Sequence, residues 1–320
     1  MIIFDYGRAK ILIIMEVFLT LLLKLIPLYI IILLGFIGGK YLGAKKETLA
    51  SLLIYIIAPI IIFNGVVTTK ISISSLSLPV LFFVLASITS IIFYKIAGYF
   101  WKDSSKNILG FTAGTGNTGY FGLPVAYAIF SQDLIGLVVL SILGFVLYEN
   151  SVGFFITARG HHTIKESLFK VLKLPTIYAF FLGLLINLSG VHLGQIYTDT
   201  ITSFRGAYTI LGMMIIGLGL SGISEYKFDL KFTGLAFIAK FLWWPLLILV
   251  IILADNMIFK LYDPSIHKVM ILMATVPLAA NTVAFATELK AQPEKASLTV
   301  LLSTLFALFY IPLVVTLFIK

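Results

Sequence analysis

Cysteine is absent from this chain, and charge is scarce: 12% of residues are Asp, Glu, Lys or Arg, with 14 acidic side chains in all. Without cysteine there is no disulfide framework and no thiolate metal site. Four histidines, at 161, 162, 192 and 267, fall in or near loops without the spacing of a zinc motif; the His161–His162 pair in a basic loop reads as solvated, and no metal is expected. A phosphate-cradling G-x-x-x-x-G-K-[ST] loop is missing, so nothing points to ATP as a drive. Neither H-E-x-x-H nor G-x-S-x-G occurs to argue for a hydrolase. The shortage of charge also excludes a soluble domain, in which roughly 25% of residues are charged.

What the chain has instead is apolar length. Hydrophobic residues make up 60% of its 320 positions. They fall in runs near the ~20 residues that a ~30 Å hydrocarbon core requires. A polytopic helical membrane protein with little mass outside the bilayer is expected, most simply in the cell membrane. The net charge of +9 could suggest nucleic acid. The basic residues, however, sit in short loops between apolar runs, where they act as topology signals, and no nucleic-acid partner is expected.

Ten spans are predicted, at 20–39, 49–67, 78–100, 107–130, 134–157, 174–190, 206–223, 232–254, 269–289 and 296–319. The longest connection is residues 158–173, read as a linker. Residues 1–14 precede the first convincing span and read as a dispensable extension, with Met15 a possible start. Loops after odd-numbered spans hold 13 Lys and Arg against 7 on the other side, which places both termini outside and the 158–173 linker in the cytoplasm.

The halves 1–157 and 174–320 resemble each other. "KLIPLYIIILLG" (24–35) and "KLPTIYAFFLG" (173–183) each place a Gly eight positions after a Pro, Pro27 to Gly35 and Pro175 to Gly183. "VVLSILGFVLYENSV" (138–152) and "VLLSTLFALFYIPLV" (300–314) share six of fifteen positions, including Ser141/Ser303 and Tyr148/Tyr310. Five spans is an odd number, so the second half would enter the membrane from the opposite face. Such inverted repeats are common in secondary transporters.

The fourth span is interrupted. "GNTGYFGLP" (116–124) lies mid-span. Pro124 removes a helix hydrogen bond, and Gly114, Gly116, Gly119 and Gly122 let the backbone leave helical geometry. In hydrocarbon an unpaired backbone group costs several kcal/mol, so such a break survives only inside protein or beside a wet cavity. The ninth span carries a matching break, "ATVPLAANTVAFATEL" (274–289), with Pro277 and a second Asn-Thr pair. Paired interruptions in corresponding spans point to a binding site. Asn117, Thr118, Asn281 and Thr282 are therefore the candidate substrate- or ion-binding residues. Their amides and hydroxyls supply neutral donors and acceptors, and half-helix N-termini favour a carboxylate. Plain helix packing through small residues is the competing reading.

These residues carry a resemblance. "GNTGYFGLP" (116–124), "AKFLWWP" (239–245) and "VPLAANTVAFATELKAQPEKASLTVLLST" (276–304) resemble the auxin efflux carrier family, which includes plant PIN-FORMED carriers and prokaryotic permeases. The resemblance implies ten helices in two inverted halves, similar to bile-acid symporters and sodium–proton antiporters. Spans 1, 2, 6 and 7 would form a scaffold, and spans 3–5 and 8–10 a transport domain in which the broken spans cross at the substrate site. Asn117, Pro124 and Asn281 would sit at that crossing. Plant members place a proline near the position of Thr282 and carry a long central insert, and this chain has neither. Small carboxylates such as malonate or malate are the substrates associated with prokaryotic members, and a homodimer is implied.

Three charges fall within apolar runs. Lys95 lies close enough to a span end for its stem to reach the interface. Lys240 and Glu149 lie about 12 Å from span ends at 1.5 Å per residue, and intramembrane charges are functional candidates. Lys240 is a possible counter-charge for an anion or for Glu149. A desolvated carboxylate favours its protonated form, so Glu149 is a candidate proton carrier, and a salt bridge to lysine is the structural alternative. The sequence thus predicts a transporter of small organic anions without a cofactor, embedded in the lipid bilayer and working by alternating access. Sodium- or proton-coupled exchange, a passive channel and a membrane-embedded enzyme remain the alternatives.

Overall fold

A computed structural model describes residues 2–68, 73–191, 193–222 and 229–319. Every regular element among them is helical. This is the outcome hydrocarbon imposes, since helices satisfy their own backbone groups. In chain order the helices are α1 (Ile2–Tyr41), α2 (Lys46–Val67), α3 (Ile73–Phe100), α4 (Ser105–Gly114), α5 (118–129), α6 (132–158) and α7 (Ile164–Leu172). They continue with α8 (Pro175–Leu188), α9 (Gln195–Ser221), α10 (Leu230–Phe259), α11 (Pro264–Thr275), α12 (Asn281–Glu288) and α13 (Pro293–Ile319). Seven are long and apolar enough to cross a membrane, or eight if α7 and α8, bent by 46°, count as one span. The chain is a multi-pass membrane protein.

The helices fall where apolar runs were predicted, with a few differences. The fourth and ninth predicted spans are each two short helices, α4 with α5 and α11 with α12, so neither passes as a continuous span. The 158–173 linker contains a helix. Thr163 caps it: its Oγ1 accepts from Glu166 N at 3.3 Å while Glu166 Oε2 accepts from Thr163 N at 2.8 Å, a reciprocal capping box. Ile164, Leu168, Phe169 and Leu172 stand exposed on α7, and Ser167 and Val171 are buried. Helix α9 starts earlier than expected, at Gln195 rather than 206. Residues 1–14, read as an extension, continue α1 back to Ile2.

Two long helix pairs pack closely, and glycine sets both. α1 packs along α9, and α2 along α8. Gly35 lies on the backbone of Met214, and Gly217 on Ile32 O, so any side chain at either position meets main chain. In the other pair a Cβ on Gly183 would lie 3.0 Å from Phe63 O and 3.1 Å from Val66 Cβ. Gly35 and Gly183 are 148 positions apart, and so are Val66 and Met214. Helices α3, α4, α6, α10 and α11 form a second body, with α3 against α4 and α6, α6 against α11, and α10 against α11, while α13 lies against both α9 and α12. A hollow of about 560 Å³ lies between the bodies, lined chiefly by apolar side chains such as Ile62, Phe83, Leu147 and Phe180.

Candidate functional site

α4 ends at Gly114, and Thr115 is extended (φ −125°, ψ 176°). The helix resumes at Thr118, where α5 opens with a π-helical turn (Thr118–Gly122) and continues as α-helix from Leu123. α11 likewise stops at Thr275, Val276 leaves helical geometry (φ −59°, ψ 153°), and α12 begins at Asn281. The two breaks meet. Asn117 N donates to Pro277 O at 2.7 Å, which satisfies one group from each interruption. Pro277 has no N–H to offer, and its carbonyl serves the opposite break. Leu278 N is satisfied by Ser303 Oγ at 3.1 Å.

Around this junction lies a cavity of about 500 Å³. Asn117, Thr118 and Asn281 line it, with Gly116, Gly119, Pro124 and Glu149. Gly122 packs on Val276 instead, where a Cβ would come within 2.9 Å of Val276 Cγ1. Gly114 is pressed against the Tyr148 ring and Ala86 O. Thr282 is fully buried outside the cavity lining, and its Oγ1 has no hydrogen-bond partner. It faces inward because it follows Asn281 by one position on α12, about 100° around the helix.

A polar relay crosses the cavity wall. Tyr120 Oη donates to Asn281 Oδ1 at 2.9 Å, and Asn281 Nδ2 donates to Glu149 Oε2 at 2.6 Å. The other carboxylate oxygen, Oε1, accepts from Thr115 Oγ1. Glu149 opens a π-helical turn (Glu149–Gly153) in α6, which turns its side chain towards both breaks. It thus binds the first break through Thr115 and the second through Asn281. Asn117 Oδ1 is left buried with no partner, and its Nδ2 approaches Met213 Sδ at 3.8 Å. An orphaned buried amide oxygen beside a cavity marks a place for a ligand or water.

Of the two roles open to Lys240, counter-charge to an anion or to Glu149, the pairing with Glu149 does not form. Glu149 is engaged by neutral donors, and no salt bridge joins the two among the described residues. Lys240 Nζ lies instead over the rings of Trp244 (5.2 Å) and Phe145 (5.7 Å), against Gly116. Trp243 and Trp244 fix α10 to α3 and α4: Trp244 Nε1 donates to Ala113 O at 2.8 Å and Trp243 Nε1 to Thr89 Oγ1 at 3.0 Å.

Arg205 was missed. Sequence reasoning placed it in an external loop as a topology signal. α9 runs through it, and Arg205 lines the cavity with Tyr208 and Thr209. The signal was available in spacing: Arg205, Tyr208 and Thr209 lie three and four positions apart, one helix face. The Tyr208 ring packs against Tyr120, with centroids 4.4 Å apart. The site therefore combines one guanidinium, several amides and hydroxyls, and one carboxylate held by neutral donors. Among the described residues no group of His, Asp and Glu could hold a metal ion.

The family described as membrane transport protein matches residues 20–166 and 158–315. The chain belongs to this family, the auxin efflux carrier group. Two archaeal relatives agree with that placement. An uncharacterized transporter of Methanocaldococcus jannaschii is 28% identical over 229 residues, covering 68% of this chain and 74% of its own. One of Methanothermobacter thermautotrophicus is 28% identical over 214 residues, covering 64% and 68%. This member of the membrane transport family is a transmembrane transporter, and the two interruptions lie inside the matched regions.

Proposed function

We propose that this transporter carries small organic anions by alternating access, with the substrate at the meeting of the two helix breaks. The observation that supports it most is the placement of Arg205 with Asn117, Thr118 and Asn281 around one cavity. A guanidinium offers a carboxylate both charge and a forked set of donors. The amides and hydroxyls add donors without further buried charge. About 500 Å³ accommodates a mono- or dicarboxylate. The cavity's apolar walls, including Ile61, Leu123 and Ile142, leave room for an apolar portion such as an auxin-like ring.

In this reading α4 with α5 and α11 with α12 are the fourth and ninth of ten spans, in two inverted five-helix repeats. The helix pairing supports it. Exchanging the halves turns the α1–α9 pair into the α8–α2 pair, and the glycine contacts Gly35–Met214 and Gly183–Val66 are then the same contact made twice. These four helices form the scaffold, and the other body moves against it, carrying the crossing between faces. Both termini lie outside the cell membrane and α7 on its cytoplasmic side, as the Lys and Arg count suggests. The negative-inside potential would assist anion efflux by ~2.3 kcal/mol per charge per 100 mV, so no coupling ion is required. A second reading, proton coupling, rests on Glu149, whose carboxylate fastens both breaks. Catalysis lacks clustered acid, base or nucleophile groups among the described cavity residues. Assembly as a homodimer stays a proposal from the resemblance alone.

The test is current from proteoliposomes on a solid-supported membrane. Pulses of malonate, malate and indole-3-acetate, with and without sodium, should give a saturable current that is lost in Asn117→Ala and Arg205→Ala. A current that survives in both variants would place the substrate elsewhere.

A further inference from the structure

A second charged cluster lies away from the central cavity, where α7 meets α2. Between residues 159 and 173 the chain carries Arg159, Lys165, Lys170 and Lys173 against a single acid, Glu166. His162, Glu166, Phe169, Lys170 and Lys173 line a pocket of about 340 Å³ together with Tyr55 of α2. Among the described residues Lys170 and Lys173 form no ion pair and no side-chain hydrogen bond. Lys173 Nζ lies 4.5 Å from the centre of the Phe169 ring. A ring face holds a cation but supplies no oxygen, so the ammonium still lacks a protein acceptor.

The other polar groups of the pocket are engaged or uncharged. Glu166 Oε2 accepts from Thr163 N at 2.8 Å and from Thr163 Oγ1 at 2.9 Å. Tyr55 Oη donates to Glu288 Oε1 at 2.9 Å. Partial burial, and then Lys170 beside it, holds His162 below the ordinary histidine range, so near neutral pH it is an uncharged imidazole. Two ammonium groups against one carboxylate leave the pocket net positive. Its rim is apolar. Ile164, Leu168, Phe169 and Leu172 are exposed on α7, and Leu52 and Ile56 are exposed on α2 to either side of Tyr55. Apolar surface of this kind beside basic side chains marks a helix seated at a membrane interface. A soluble anion would match the lysines and leave the leucines bare. An apolar partner would match the leucines and leave the lysines unanswered. An anionic lipid answers both, with phosphate for one and hydrocarbon for the other, and basic pockets beside transmembrane helices hold such headgroups.

We propose that the pocket between α7 and α2 binds the headgroup of one anionic phospholipid, its phosphate on Lys170 and Lys173 and its acyl chains over Leu52, Ile56, Leu168 and Leu172. α7 is the connection from α6 to α8, so the bound lipid rests on the joint between the two bodies. The proposal concerns lipid and not the carried anion, and it is independent of what the central cavity holds.

The experiment is the thermal unfolding midpoint of the purified full chain in neutral detergent, with phosphatidylglycerol, phosphatidylcholine or inorganic phosphate added at equal concentration. Phosphatidylglycerol should raise the wild-type midpoint by about 3 °C over phosphatidylcholine, and inorganic phosphate should leave it unchanged. The double variant Lys170→Gln with Lys173→Gln should lose that rise. Lys40→Gln with Lys45→Gln removes two exposed charges where α1 joins α2 and should keep it. Glu166→Gln keeps a side chain that serves the capping box and removes the opposing charge, so its rise should exceed that of the wild type. Equal midpoints in the two lipids overturn the proposal. So does a phosphatidylglycerol rise that survives in the Lys170/Lys173 variant or disappears in the Lys40/Lys45 variant. A rise with inorganic phosphate as large as with the lipid makes this a soluble-anion site and overturns it too. Should the Lys170/Lys173 variant not fold, Glu166→Gln decides alone, and a rise no larger than the wild type's overturns the proposal. The readout needs no transport, so loss of the anion reading would leave this result standing, and the reverse.

Discussion

At the scale of single residues, Glu149 does more than any other side chain to hold the breaks together. Its two oxygens accept from Thr115 and Asn281, one donor from each interruption. As an anion it accepts both bonds; a proton on either oxygen removes an acceptor. Glu149→Gln should therefore flatten the pH dependence of flux in liposomes, and a wild-type pH profile in that variant would sink the proton-coupled reading. Asn281→Ala removes a donor to Glu149 and an acceptor for Tyr120, leaving both buried. Each unpaired group costs about 1–3 kcal/mol, so its unfolding midpoint should drop measurably as well as its transport. Gly116→Ala is a separate case. Its added methyl would overlap Lys240 Nζ and crowd Val276, so about 1–3 kcal/mol of stability should be lost even with every polar group retained. Thermal unfolding at wild-type stability would show that the break relaxes freely.

Helices and breaks were legible in the sequence to different degrees. The apolar runs gave the positions of the long helices, because in hydrocarbon length and composition decide the element. The interruptions were legible too, since glycine, proline and Asn-Thr in "GNTGYFGLP" and "ATVPLAANTV" have few uses at membrane depth. α7 was not. Its nine residues alternate Ile164, Leu168 and Leu172 with Lys165 and Lys170, a pattern that hydropathy averages to a loop. The start of α9 was hidden in the same way. Thr198, Asp199, Thr200, Thr202 and Ser203 lower the hydropathy of its first three turns, and Arg205 was lost with them. The partners of Glu149 and Lys240 were also beyond reach, because opposite charges suggest pairing and only the fold shows neutral donors at the one and aromatic rings at the other. At this scale the α1–α9 contact is the sharpest test. Gly35→Leu should cost well over about 2 kcal/mol or block assembly, because main chain at Met214 cannot move aside as a side chain can. A variant with wild-type yield and midpoint would refute so close an approach.

For the whole molecule, orientation is the open quantity with the simplest measurement. The chain has no cysteine, so single substitutions report cleanly. Val191→Cys, exposed in the connection between α8 and α9, should react with an impermeant maleimide on intact cells. Lys165→Cys on α7 should react only after permeabilisation. The opposite pattern would invert the proposed topology and put the termini inside.

The apolar hollow between the two bodies bears on how fast such a machine can run. Its walls meet through one described polar contact, Thr176 Oγ1 to Asn150 Oδ1 at 3.1 Å, among side chains such as Phe83, Leu147 and Phe180. If the two bodies slide as proposed, a seam of this kind has little to unlatch, and the resistance would come from friction between greasy surfaces. Turnover should then follow the viscosity of the surrounding lipid, slowing in ordered, saturated bilayers and quickening in fluid ones, with the bilayer setting the pace as oil does for a bearing.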